Sequence, residues 1–340
     1  MKKIIFMLMA ASLMLTSCES ENAVPESASQ QQNTVSAAKT TQGLADLRAQ
    51  ALKDINLGGK VYYDSRRGLV YDTKMKSNIV IPAYAIKTKD GKDIFGDIEI
   101  DYIEIFTKGK MVVANKPTMG QISTQSKGLL ETGGEFYLDI RYNGQQVDIV
   151  SPIKVNIDVN KSQANPVGMV LWNGDINSNT DLTWNPANIN DLAFEIDGGV
   201  FGGKNGTIYD VLVNNSSNFG WCNIDRLSSW PGTKTPITVK PPTGFNHTNS
   251  SVYLAIEGED NMLAQFDMFD SVNNVFKEHY GLVPVGLKCH IIFVGEQSGN
   301  YVYNIQSVAV ANNATYTVTN SSLITTTSYS QVEAAISALP

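Results

Sequence analysis

Three cysteines and three histidines in 340 residues leave little for thiol or metal chemistry. His247, His279 and His290 have no partner at ligand spacing. Cys289 and His290 are adjacent on an expected strand, where neighbouring side chains point to opposite faces, so they do not share an ion. Positive charge is also scarce. Lys and Arg number 26 against 33 Asp and Glu, a formal charge of −7, and no basic cluster occurs. Such a chain is a poor nucleic-acid binder. No run reaches the roughly 18 apolar residues of a membrane-spanning helix. The nucleophile elbow, the H-E-x-x-H pair, the P-loop and the dinucleotide fingerprint are all missing. No resident cofactor and no catalytic residues are expected.

What is present begins at the N-terminus, "MKKIIFMLMAASLMLTSC". Lys2 and Lys3 precede an apolar run, Ile4 to Leu15, of signal-peptide length. Leu15-Thr16-Ser17-Cys18 has the form of a bacterial lipobox, in which the Cys18 thiol takes the lipid and becomes the first mature residue. Two or more acyl chains, at ~0.8 kcal/mol per buried CH₂, hold a protein stably on a membrane. Residues 1–17 are thus expected to be a lipoprotein signal peptide. Residues 18–42 are polar and without aromatics, a composition that cannot order itself, and are expected to be a lipidated flexible tether. Glu19 and Glu21, close behind the cysteine, resemble the acidic export signal of Bacteroidetes-type surface lipoproteins, which implies outward export over a periplasm-facing anchor; plain linker polarity is the other reading. The expected location is the outer membrane, facing the cell surface.

Leu44, Leu47, Leu52 and Ile55 fall near helical spacing, so 43–55 reads as a short helix. From Lys60 the apolar period becomes two. In "DIEIDYIEIF" (97–106), Ile98, Ile100 and Tyr102 share one face and Ile103 and Ile105 the other. Keeping one face inward then requires a β-bulge near Tyr102, with Glu99, Asp101 and Glu104 outward. "EFYLDIRYNGQQVDIVS" (135–151) is a hairpin on an Asn143-Gly144 turn. It pairs Tyr142 with Gln145, Ile140 with Val147 and Leu138 with Ile149, and sets Asp139 opposite Asp148. Arg141 is placed to relieve those two carboxylates. The polar, proline-bearing stretch 156–168 reads as a linker. Further strands follow, with an expected helix in "FDMFDSVNNVFKEHYG" (266–281) and a terminal helix opened by a Ser330–Glu333 capping box. The fold class is all-β: two β-sandwich-like domains, 43–155 and 169–340, with short accessory helices.

The Ile81-Pro82-Ala83 strand end, the Asp90-Gly91 turn, Gly96, the Lys116-Pro117-Thr118 corner and Gly133-Gly134 together resemble a β-sandwich domain of the zona-occludens/Unc-five type. The stretch involved is about 60–150. "FGWCNIDRL" (219–227) and "LVPVGLKCHIIFVG" (282–295) resemble the C-terminal part of Bacteroidetes-type envelope lipoproteins, except that Cys222 and Ile224 stand in exchanged places. The resemblance implies a sandwich fold and an envelope location and suggests no reaction. Some domains of this class cleave themselves at a His-Phe-Ser or His-Tyr-Ser triplet. Here His279-Tyr280-Gly281 lacks the serine nucleophile, so no cleavage is expected.

Three groups of residues stand as candidates. Asp175, Asn177, Asn179 and Asp181 alternate as in a calcium loop, but without the glycine and the bidentate glutamate of an EF-hand; a solvent loop is the plainer reading. Trp172, Trp184 and Trp230 would stack on sugar rings if exposed in a line, and are core residues otherwise. Cys222 and Cys289 sit on apolar strands with their thiols inward. They either form one disulfide or remain two buried thiols, and the exchanged place of Cys222 weighs against the bridge. The expected function is that of a lipid-anchored, non-catalytic envelope protein with a protein-binding or structural role. The first alternative is a glycan-binding surface module, and the second a glycoside or peptide hydrolase. The partners expected are the membrane, through the lipid, and another envelope protein or a surface glycan.

Overall fold

The computed structural model describes residues 34–36, 42–124, 126–176, 182–187, 192–197, 208–215 and 219–340. The expected signal peptide, Cys18 and most of the tether lie outside these. Within the tether, Thr34–Ser36 forms a three-residue strand antiparallel to Met268–Asp270.

The fold is all-β with three short accessory helices among the described residues. Its first sandwich packs two sheets face to face. The outer sheet runs, in spatial order, Leu192–Asp197, Ile208–Val213, Ile153–Asp158, Asn78–Ile81 and Leu69–Asp72, all antiparallel. The inner sheet is built around the 17-residue strand Ser126–Tyr142. One edge of that strand pairs with Phe95–Ile105 and Met119–Ser123, and the other with Gly220–Leu227. Gly220–Leu227 continues through Val170–Ile176 to Leu182–Pro186, and a parallel bridge from Trp184 to Gly120 returns to the start. Part of the inner sheet therefore closes into a ring of five strands, which hides edges that would otherwise stay open.

The second sandwich has one sheet ordered Ala264–Gln265, Ser250–Ile256, Lys288–Gln297, Asn300–Ala309 and Ile324–Thr326. The other is ordered Thr34–Ser36, Met268–Asp270, Val275–Pro284, Lys234–Lys240 and Thr315–Thr317. Each sandwich has its own core, Ile98, Phe136 and Ile224 among others in the first and Phe266, Phe276 and Phe293 in the second. A third core lies between the sandwiches, where helices α1 (Gln42–Asp54), α2 (Lys108–Ala114) and α3 (Tyr329–Ser337) fill the space.

This third core explains several departures from the sequence reading. The stretch 156–168 is not a linker: Asn156–Asp158 are strand residues in the outer sheet, and strands from 170 to 227 complete the first sandwich. The chain crosses between sandwiches near 228–233 instead, between Gly220–Leu227 and Lys234–Lys240. The strand Phe95–Ile105 needs no bulge, because both its faces are covered. Ile98, Ile100 and Tyr102 enter the first core and Ile103 and Ile105 the third, in unbroken register against Ser126–Tyr142. Glu104 consequently points inward, where it accepts from the Tyr102 hydroxyl at 2.7 Å and from Lys161 Nζ at 3.1 Å.

The Asn143-Gly144 turn forms with both φ angles positive, and Tyr142 meets Gln145 as the two-residue turn requires. Val147 N–H donates to the Ile140 carbonyl, and then the strands part. Asp148 pairs with Lys87 rather than Asp139. Asp139 lies opposite Asp101 and is relieved by Arg141, Nε to Oδ2 at 2.7 Å. The stretch 266–281 is a hairpin, not a helix. Asp270 accepts from the backbone of Val272 and Asn273, and Asn274 takes a positive φ, which turns the chain. Helix α3 begins at Tyr329, so the expected capping box is not formed, but Val332 and Ile336 are fully buried as the spacing predicts.

Candidate binding groove

The tryptophans expected to stack on sugar rings divide. Trp172 and Trp184 are 3% and 0% exposed, inside the closed ring of strands. Their indole N–H groups donate to the carbonyls of Asp225 and Pro117, at 3.2 and 2.9 Å. Gly120 and Gly174 make room for them. A Cβ on Gly120 would come within 2.8 Å of Leu130, and one on Gly174 within 2.6 Å of Trp221 and 2.9 Å of Trp184. These two indoles are core and are closed to sugars. Trp230 lies apart from them, half-buried in the crossover between the sandwiches.

There it borders an apolar groove of about 380 Å³. That volume falls in the range of small-molecule sites. Three elements converge on it. The hairpin of Met119–Ser123 and Ser126–Tyr142 supplies Ile122 and Leu129; the crossover supplies Leu227 and Trp230; the second sandwich supplies Leu254, Ile256 and Leu282. Leu227 and Leu282 are 54% and 42% exposed, large apolar side chains that the fold leaves at the mouth. Tyr280 and Leu282 are re-aimed by a bulge. Thr235 pairs with Val283 and Ile237 with Glu278, so 279–282 are looped out of the ladder. The His279-Tyr280-Gly281 triplet falls in this bulge.

The polar groups around the groove are mostly engaged. Lys127 Nζ lies 3.4 Å from Asp267, whose Oδ2 also accepts from the Tyr280 hydroxyl at 3.0 Å. Glu278 accepts from the backbone N–H of Tyr280 and Gly281. Lys234 is exposed, donates to the Trp230 carbonyl, and has no carboxylate partner among the described residues. Gln265 is 4% exposed, and its Nε2 has no hydrogen-bond partner among the described residues.

A second polar cluster is sealed in the joint between the sandwiches. Glu135 and Asp225 are fully buried on neighbouring strands, and neither Glu135 oxygen has a hydrogen-bond partner among the described residues. Burial, with the charge of Asp225 beside it, pushes the Glu135 carboxyl well above its ordinary value. Burial does the same to Asp225, against hydrogen bonds from Thr132 and Asn223. Lys116 is pushed down to about 8 by burial, although Glu135 opposes this. Its Nζ stacks 4.9 Å over the Trp221 ring. Arg48 donates to Ser251 and Tyr253 across the same joint, both at 3.0 Å. These carboxyls converge in a packed interior and not in a cleft.

The remaining candidates separate. Asp175 lies on the strand Val170–Ile176 opposite Thr183, while Asn177, Asn179 and Asp181 lie outside the described residues. Cys222 belongs to the first core and Cys289 to the second, and neither is in a disulfide. The inward orientation expected of each is present, but in different sandwiches, so the two do not form a bridge. Burial pushes both thiols up to about 12, which makes them inert small apolar groups.

The groove is not legible in the sequence because its walls come from three separate stretches, 119–129, 227–234 and 254–287. The one signal was Leu227 and Leu282, apolar residues beside strand ends with no period to absorb them. No family model matches the chain, and no curated protein matches it.

Proposed function

We propose that the chain is a lipid-anchored, non-catalytic envelope protein that binds an apolar ligand in the groove where its two sandwiches meet. The groove carries this reading: an apolar concavity between two joined sandwiches, walled by side chains that a folded protein ordinarily covers. The lipobox at Cys18 and the likeness of 219–227 and 282–295 to envelope lipoproteins support the anchor and an outer-membrane location, and Glu19 and Glu21 support one facing outward. In this reading the sandwiches and the helices between them are a scaffold, and the tether lets the groove meet ligand away from the lipid surface. The test is binding of an environment-sensitive apolar dye to the protein without its leader. Leu282→Trp fills the mouth at a half-exposed position, so the fold is kept and the dye signal is expected to be lost. Equal dye binding by both proteins would contradict a site in the groove.

A further inference from the structure

The rings this protein offers to solvent are not its tryptophans. Among the described residues, the exposed aromatic side chains are Tyr62, Tyr84 and Phe95, at 63%, 49% and 47%. All three gather around one guanidinium, that of Arg66. We propose that this patch is a second binding site, separate from the groove, and that it takes a neutral glycan.

Strand pairing builds the patch. Gly59–Asp64 lies antiparallel to Phe95–Ile105 at the edge of the inner sheet, with Tyr62 opposite Asp97 and Asp64 opposite Phe95. Alternation sends Tyr63 into the first core and leaves Tyr62, Asp64, Phe95 and Asp97 together on the other face. Tyr62 and Phe95 are diagonal neighbours, which on paired strands stand about 7–8 Å apart. The Arg66 guanidinium lies over the Phe95 ring, 5.3 Å from its centroid. Hydrogen bonding and the charge of Asp64 hold Arg66 above its ordinary value, and the nearby Tyr84 and Tyr62 hydroxyls add to this. Tyr84 is presented from a left-handed backbone, φ 59°, which Gly or Asn adopts at less cost than Tyr.

Two observations point to a sugar. The first is the mixture of rings with a fixed polar pair. A pyranose has an apolar face of axial C–H groups, which lies flat on an aromatic ring. Its rim carries hydroxyls, which need donors and acceptors held in place. Asp64 accepts from the Arg66 backbone N–H at 3.0 Å, from Nε at 3.0 Å and from Nη2 at 2.8 Å. This lock sets a planar donor–acceptor pair beside the rings and holds the Asp64 carboxyl down to about 2, so it stays an acceptor. The guanidinium N–H groups not spent on Asp64 are left for hydroxyl oxygens. The second observation is the charge pattern. Asp64 also faces Arg67 at 4.0 Å, and Asp97 faces Lys60 at 3.9 Å. Both signs are interleaved and each carboxylate already faces a cation, which favours a partner rich in hydroxyls over an ionic one. The centre of a protein interface is depleted of charge, whereas here a charged pair sits among the rings.

Electrophoresis of the protein without its leader tests this, in native gels that contain amylopectin, galactomannan, xyloglucan or yeast mannan in turn. At least one polysaccharide is expected to retard wild type. Tyr62→Ala, Tyr84→Ala and Phe95→Ala should each weaken the retardation about two- to tenfold, the worth of one ring contact, and the triple variant should abolish it. The three rings are exposed, so the melting temperature should hold in each variant, which separates loss of the site from loss of the fold. Leu282→Trp, which fills the groove, should be retarded like wild type. Equal retardation of wild type and the triple variant would place the sugar elsewhere and overturn the site. Retardation by none of the four would overturn the glycan. If crosslinking on cells then joins wild type, and not the triple variant, to another envelope protein, the patch is a protein interface instead.

Discussion

The backbone N–H of Gln265, in the second sandwich, donates to the sulfur of Met119, in the first, at 3.2 Å. It is one of a series of bonds that stitch the two together. Thr118 N–H donates to the Leu263 carbonyl, and Leu263 N–H returns to the Thr118 hydroxyl, both at 2.9 Å. Thr132 N–H donates to the Asn261 carbonyl, and Asn261 Nδ2 returns to the Thr132 carbonyl. With the helical core between them, neither sandwich can open without exposing apolar surface of the other. Residues 43–340 should therefore unfold in one cooperative transition. Calorimetry giving a single peak, with equal calorimetric and van't Hoff enthalpies, is the expected result. Two resolved peaks would mean that the joint does not couple the sandwiches.

The ring of strands around Trp184 makes a second prediction. Trp184→Ala removes a fully buried indole and should cost about 3–5 kcal/mol. Gly174→Ala adds a single methyl where the space is already taken, and should cost about 1–3 kcal/mol by overpacking. Urea midpoints measure both. A neutral Gly174→Ala would show that the tryptophans are not packed against that backbone.

Glu135 sets a pH dependence. Its carboxyl is raised above the ordinary 4.5 by burial and by Asp225, so the folded state holds a proton that the unfolded state releases. Stability from this group is fully present below about pH 4.5 and falls as pH rises from there toward the raised folded value, by up to ~1.4 kcal/mol per pH unit for one proton. Lys116, lowered to about 8, acts in the opposite direction between about 8 and its ordinary 10.5, where the unfolded state binds the extra proton. Asp225, raised by the same burial, contributes in the same direction, so about pH 5–8 reads both carboxyls and the difference between wild type and variant reads Glu135. Glu135→Gln should flatten the fall in melting temperature across that window. A wild type and variant with parallel profiles would contradict a protonated Glu135.

For the anchor, metabolic labelling with a fatty acid should tag the wild type and leave Cys18→Ala unlabelled. Equal labelling of the two would remove the lipid from the account.

Much of the fold was legible wherever one element answered to one face. The Asn143-Gly144 turn fixed its own register through Tyr142 and Gln145, because a two-residue loop leaves no freedom. Helix α1 was visible from Leu44, Leu47 and Leu52, a single apolar stripe. The failures have separate physical causes, the first of them burial on two faces. Ile103 and Ile105 looked like a slipped register because the sequence does not reveal that a second core covers them. Phe266, Phe269 and Phe276 stand at spacings that a helix also uses, and the Asp270 turn between them overrode the period. Trp172 and Trp184 are aromatic in either setting, and only the closure of the ring from Gly120 to Trp184 decides that they are core. The sandwich boundary was misplaced because 156–168 is polar on its surface side, while Ile157 is fully buried from the other.

The central claim is a ligand in the groove, and Trp230 reports on it directly. It borders the groove, whereas Trp172, Trp184 and Trp221 are buried in the third core. A brominated apolar probe quenches tryptophan only at short range, so titrating it into wild type and Trp230→Phe locates the ligand. The account predicts saturable quenching in wild type that disappears in Trp230→Phe, while dye competition shows that the variant still binds. Quenching of equal depth in the two proteins would place the probe elsewhere and contradict the account.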